Sequence, residues 1–149
     1  MPALLENKKI FFNYEILERF EAGLELLGTE VKSLKSKHGS IAGARVIARG
    51  SEAYIIGMEI PPYQPLNAPR GYDPERTRRL LLRKKEIAHL VGKAEERGLT
   101  IVPIRVYTSH NLLKVEIALV RGKKKFEKRE KIKKRDTERD LLRDIKGGA

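Results

Sequence analysis

The chain of 149 residues has no cysteine, no tryptophan, two methionines and three histidines, and only 6% of it is aromatic. The absence of cysteine excludes disulfides, thiolate metal sites and a cysteine nucleophile. No run approaches the ~18 apolar residues that a membrane-spanning helix needs. Met1 to Lys9 lacks the apolar stretch and small-residue cleavage site of a secretory signal. The expectation is a cytoplasmic protein with no membrane partner. His38, His89 and His110 are isolated and no H-E-x-x-H occurs, so no metal site is expected, and His89 reads as a surface or partly buried residue. Gly122-Lys123-Lys124 lacks the upstream glycine and the following Ser or Thr of a phosphate loop. Glu95 and Glu96 read as a solvated helix end. With no nucleophile beside a base, no paired acids and no metal cluster, the sequence predicts no catalytic residue, no cofactor and no enzyme.

Acidic residues are also in short supply. Against 32 Lys and Arg stand 20 Asp and Glu, a formal charge of +12. Residues 121–149 hold 13 of the basic and 6 of the acidic side chains. Between Arg121 and Arg135 only Phe126 and Ile132 are sizeable apolar groups, too few to offset the entropy of ordering the segment. Two regions are therefore expected: a globular domain over 1–121, and a basic C-terminal tail over 122–149, mobile when free. The tail can become helical on a partner, because Glu127 with Lys131 and Glu130 with Lys134 form favourable i,i+4 pairs. A helix from Lys123 to Lys146 would reach about 36 Å. The plainer alternative is a solvated tail that only aids solubility.

In the globular part, Tyr14, Ile16, Phe20, Ala22, Leu24 and Leu26 alternate with charged neighbours, which predicts a strand. A helical spacing of Ile16, Phe20, Leu24 and Leu27 competes, weakened by Gly23. Thr29 can cap a short helix from Glu30 to Lys37, ended at Gly39. Ala44–Ala48 and Ala53–Ile60 flank Arg49-Gly50-Ser51 as a hairpin. Pro61 to Tyr72, with four of the seven prolines, is a loop. Asp73 and Pro74 then signal the start of a helix. Ile87, Leu90, Val91 and Ala94 mark a second helical stretch closed by Gly98. Thr100–Tyr107 and Leu112–Val120 form another hairpin around Thr108–Asn111. Five or six hairpin-connected strands with three short helices predict a mainly β fold. The expected form is an oligonucleotide-binding-like, closed antiparallel β-barrel, because closure removes exposed edges.

If the helix begun at Asp73 is continuous, Arg76, Arg79 and Arg83 fall on one stripe, joined by Arg78, Lys84 and Lys85. Guanidinium forks suit phosphate oxygens, so nucleic acid is the expected partner. RNA is preferred to DNA, since no helix-turn-helix or zinc-finger pattern is present and barrels of this kind engage single strands or folded RNA. Tyr14, Tyr63, Tyr72 and Tyr107 either stack on bases or belong to the core.

Three blocks carry a more specific likeness. Tyr14-Glu-Ile-Leu-Glu-Arg-Phe-Glu-Ala-Gly-Leu-Glu-Leu-Leu-Gly-Thr-Glu-Val-Lys-Ser-Leu34, with Asn7 upstream, resembles the small protein B family, the bacterial tmRNA (SsrA)-binding proteins. Asp73-Pro-Glu-Arg-Thr-Arg-Arg-Leu-Leu-Leu82 and Arg121-Gly-Lys-Lys124 with Glu127-Lys-Arg129 resemble its other blocks, in the same order. The resemblance implies an oligonucleotide-binding-like barrel with three helices and a disordered tail. It implies binding to the tRNA-like domain of tmRNA, and delivery with elongation factor Tu to stalled ribosomes. The tail would then enter the decoding centre and empty mRNA channel as a helix, so that the ribosome is rescued and the nascent peptide tagged for degradation. A monomer is expected when free.

Carried over by position, the resemblance implies RNA contacts at Asn7, Glu21, Leu81 and Arg83, with Glu30, Lys32 and Ser33 nearby. Glu21 would accept from base amino groups or orient a neighbouring Arg. Leu81 is either a contact or a core residue. Arg83 stands where the family usually has Asn or His, which keeps phosphate binding and loses an acceptor. Ribosome contacts are implied at Gly122, Lys123, Lys124, Glu127, Lys128 and Arg129, with Lys133, Lys134 and Arg135 continuing the basic run. Thr137 stands where some members have Trp, so no stacking contact is expected there. Tyr107-Thr-Ser-His110 departs from the family's aromatic-Lys-Asn run and receives no role. Phe11 and Phe12 either pack on the barrel or form a small partner surface. The rival expectation is a ribosomal assembly protein whose tail threads between RNA helices; a tRNA-processing enzyme is a weaker third.

Overall fold

A computed structural model describes residues 3–64, 66 and 70–123. The element order is β1 (Ala3–Glu6), α1 (Lys9–Asn13), β2 (Tyr14–Leu24), α2 (Gly28–Lys35), β3 (Arg45–Arg49), β4 (Glu52–Ile56), β5 (Arg78–Leu81), α3 (Lys84–Ala94), β6 (Leu99–Ser109) and β7 (Leu112–Gly122). The tail from Lys124 onward lies outside the described residues. Among these residues no helix is long and apolar enough to cross a membrane, and no cluster of metal-ligating side chains occurs.

All seven strands join one antiparallel sheet in the order β1-β6-β7-β2-β5-β4-β3. The expected closed barrel is corrected here: no hydrogen-bonded ladder joins β1 to β3, so the sheet curls without closing. The reason lies in the edges. β1 is only four residues long and pairs with β6 across an irregular register, and β3 spends its pairing on β4 alone.

Period-two burial does what the sequence expects over the second half of β2, where outward Arg19 and Glu21 alternate with inward Phe20 and Ala22, but a register shift between Ile16 and Glu18 puts Tyr14 and Ile16 on the outer face instead of with Phe20. The β6–β7 hairpin turns through His110 and Asn111, at φ 51° and 64°, the left-handed pair that a two-residue turn needs. The main core gathers Leu34, Ile55, Met58, Leu80, Leu90, Ile101, Val115, Ile117 and Leu119 inside the curl. β7 is buried on both faces towards its end. Val115, Ile117 and Leu119 face the core, whereas Ala118 and Val120 face outward with Val102 and Ile104. That outward apolar patch is covered by α1 through Ile10, with Phe11, Tyr14 and Ile16 around it. Phe11 thus packs on the sheet, one of the two expectations for it.

Two further expectations fail. The helix begun at Asp73 does not exist. Asp73 Oδ1 accepts from the Glu75 N–H (2.9 Å) and Asp73 O from the Arg76 N–H (3.1 Å), closing a turn, after which the chain runs as β5. Arg78 and Leu80 point inward and Arg79 and Leu81 outward, so the basic stripe at i, i+3, i+7 is replaced by strand alternation. The other concerns the cap of α2, which is not Thr29. Glu30 reaches back instead and accepts the Leu27 N–H at 2.8 Å.

Candidate RNA-binding surface

The register places two of the expected site residues on one outer face. Opposite Gly23 on β2 stand Leu81 on β5 and Lys114 on β7, and Lys114 in turn faces Tyr107 on β6. The neighbouring row runs Glu21, Glu116, Arg105, Glu6 across β2, β7, β6 and β1. Direct cross-strand partners share a face, so Leu81 and Glu21 belong to adjacent rows of the same surface.

Leu81 is 51% exposed and is a surface residue, not a core one. It lies along a glycine: a Cβ at Gly23 would come within 3.2 Å of the Leu81 Cβ. Together they open a groove of about 210 Å³, lined also by Leu24, Leu26, Val31 and Leu112 with Asn111 and Lys114 at its end. An apolar floor with a cation at one end suits an unstacked base beside its phosphate. After half-buried Leu82 come Arg83, Lys84 and Lys85, exposed at the start of α3.

Glu21 accepts a hydrogen bond from the Tyr107 hydroxyl. Burial first, and then that bond, pushes the Tyr107 hydroxyl up to about 12. The Arg105 guanidinium lies over the Tyr107 ring, 4.7 Å from its centroid, and its Nε donates to Glu116 Oε2 at 2.9 Å. Arg19 reaches the same Glu116 at 3.1 Å. Glu21 thus has a definite task, to hold Tyr107 beneath Arg105. Arg105 and Glu116 escaped the sequence reading, and Tyr107 was offered there only as a stacking or core residue, because their link is cross-strand; the alternation of Arg105 and Tyr107 along a β run is the signal that could have joined them.

Glu30, Ser33 and Arg78 need correction as surface contacts, because all three are buried. The Arg78 Nε donates to Glu30 Oε2 at 2.7 Å, and its Nη1 and Nη2 donate to the carbonyls of Met58 (2.7 Å) and Pro74 (2.9 Å). Arg76 binds the same carboxylate through Nε at 3.0 Å and through Nη2. The Tyr72 hydroxyl donates to Ile60 O at 2.7 Å, which gives Tyr72 an internal role. Ser33 Oγ donates to Pro61 O at 2.8 Å. Burial pushes the Glu30 carboxyl up, but Arg76, the Leu27 N–H and Arg78 outweigh it and hold the group below its ordinary range. This network ties α2, β5 and the long loop together from within. Its signal in the sequence was weak, since Glu30 and Arg78 are 48 residues apart.

Lys32 is exposed on α2. Asn7 stands at the other end of the sheet, where its Oδ1 accepts from the Lys9 N–H (3.2 Å) at the start of α1. Gly122 and Lys123 are corrected as tail residues: Gly122 pairs with Tyr14. The Lys123 N–H donates to Asn13 O at 2.9 Å and its Nζ to Phe11 O at 3.1 Å, so β7 carries the fold past residue 121. Lys124, Glu127, Lys128, Arg129, Lys133, Lys134 and Arg135 lie outside the described residues.

A family model described as SmpB protein matches residues 4–147. An SsrA-binding protein of Sulfurihydrogenibium sp. is 49% identical over 141 residues, 95% of this chain and 92% of its own. One from Mesoplasma florum is 50% identical over 140 residues, 94% of each chain. Among solved structures, a chain described under "tmRNA-SmpB: a journey to the center of the bacterial ribosome" aligns with a TM-score of 0.68 and 41% identity. That alignment covers 84% of this chain and 87% of that one.

Proposed function

This chain belongs to the SmpB protein family, and from that membership we propose that it is an SsrA-binding protein acting in trans-translation. It binds the tRNA-like domain of tmRNA and, together with elongation factor Tu, brings it to ribosomes stalled without a stop codon. The residues beyond the sheet, Lys124 to Arg135 foremost, serve the decoding centre and the empty mRNA channel, where they fold as a helix. The ribosome is released and the nascent peptide tagged for degradation. Its work is done by shape and charge, without catalysis, in the cytoplasm where ribosomes are. The curled sheet is an oligonucleotide-binding-like barrel left partly open.

The observation that carries this reading is the likeness to SsrA-binding proteins over nearly the whole length. The outer face supports it. Leu81 and Lys114 line an apolar groove on the same face as the Glu21–Tyr107–Arg105 stack, and exposed Arg83, Lys84 and Lys85 lie two to four residues further along the chain from Leu81, a mixture of apolar surface and cations that suits folded RNA. Glu30, Ser33 and Arg78 contribute by holding that face in shape.

The test is competition binding at ~150 mM salt between the tRNA-like domain of tmRNA, an ordinary tRNA and a random RNA of equal length. The full chain and a chain ending at Lys123 should both prefer the tmRNA domain. Equal binding to all three RNAs, lost with the tail, would reduce the protein to a charged coat for any RNA.

A further inference from the structure

Beside the Leu81 groove, and sharing Leu26 with it, lies a second cleft of about 340 Å³ lined by Tyr54, Arg76, Thr77, Arg79, Glu25 and Leu27. Arg79 on β5 faces Tyr54 on β4 directly, on the same outward side of β5 as Leu81, so the cleft continues the outer face across the sheet. Arg76 forms part of its wall. One edge of that guanidinium is held by the fully buried Glu30, and 31% of the side chain remains open. Glu30 serves two guanidiniums at once, since Arg78 occupies the same carboxylate. One carboxylate cannot neutralise both, so a positive charge of fixed position faces the cleft.

Arg79 stands at the mouth, about half exposed, with its Nη1 4.0 Å from Glu25 Oε2, itself 62% exposed. An exposed pair at that separation is weak and readily exchanged. A phosphodiester oxygen offers Arg79 a shorter, bidentate partner.

We propose that this cleft seats a phosphodiester of the bound RNA between Arg76 and Arg79, with Tyr54 walling the adjoining ribose. Glu25 is the internal anion that the phosphate displaces from Arg79. The inference rests on the RNA-binding reading above and adds a subsite to it. Arg76 is the preorganised member and Arg79 the adaptable one. Because the contact is with backbone, it strengthens binding without reading sequence.

Binding of the tRNA-like domain and of an ordinary tRNA, measured on the full-length protein across a salt series, tests this with two exposed substitutions. Arg79→Gln should weaken both RNAs alike and flatten the log–log salt slope by about one. Glu25→Gln should tighten both by up to about fivefold, the size of a lost surface ion pair. Thermal melting should place both variants with the unsubstituted protein, so a folding defect is not the cause. Unchanged affinity and slope in Arg79→Gln, or looser binding in Glu25→Gln, would overturn the subsite. So would a change in the preference between the two RNAs, since that means base reading. Failure of the unsubstituted protein to prefer the tmRNA domain is a separate result, and it sinks the functional reading instead.

Discussion

Arg78 retains a guanidinium with no exposed surface because every side of it is met: Glu30 on one edge, and the carbonyls of Met58, Arg76 and Pro74 on the others. Arg78→Met leaves Glu30 with Arg76 alone and takes the donor from those three buried carbonyls, and an unmet buried acceptor costs about 1–3 kcal/mol. It should therefore lower unfolding stability in urea titration by at least that much, whereas Lys32→Met, on the exposed side of α2, should change it little. The pair also sets an acid limit. In the unfolded chain Glu30 takes up its proton near 4.5, whereas in the folded protein it resists protonation to lower pH. The stabilisation is thus complete above the ordinary value and is lost as pH falls through the lowered one. Melting temperatures followed below pH 5 should drop steeply, and Glu30→Gln should be less stable at neutral pH but flatter in that range. Tyr107 sets an opposite, alkaline limit. Its hydroxyl is raised from 10.0 to about 12, so the stabilisation it shares with Glu21 is full below pH 10 and lost as pH rises towards 12. A tyrosinate absorbance titration should show a late-ionising group that disappears in Tyr107→Phe and titrates earlier in Glu21→Gln.

Among the elements, β5 and α1 show where sequence reading stops. Long alternating strands such as β2, β6 and β7 were legible because many residues repeat the same preference. β5 has four residues, and one of its two inward positions is Arg78, whose burial depends on a carboxylate 48 positions away. Local signals at Asp73 and Pro74 were real, since the aspartate does accept backbone hydrogen bonds, but they close a turn instead of opening a helix. The five-residue α1 is too short for periodicity and is held by tertiary contacts, chiefly Ile10 over Val102 and Val120. Truncating a buried Ile to Ala removes about 2–5 kcal/mol. In Ile10→Ala, native-state hydrogen exchange should therefore speed up at the Lys123 amide, which bonds to Asn13 O, while Val115 and Ile117 amides keep their relative protection. Equal acceleration throughout β7 would mean that α1 is not an independent cover.

For the molecule as a whole, the mainly β class and the pairing of both hairpins were legible from the chain, and so were Glu21 and Leu81 as neighbours on one surface, through the family resemblance. The openness of the sheet was not, because closure is decided by how the short edges β1 and β3 meet other strands, a property no single segment encodes. Nor was the division of the basic residues into a buried set that shapes the surface and an exposed set that meets a partner. The same global view bears on where β7 ends. Lys123 is tied to α1 by its backbone and by its ammonium group, so whatever follows departs from a surveyed point. Chain length beyond that point becomes a ruler. Each residue inserted directly after Lys123 extends the greatest reach by about 3.3–3.6 Å, and a graded series of insertions would convert the spacing between an RNA bound to the sheet and a site contacted by the tail into a countable number of residues.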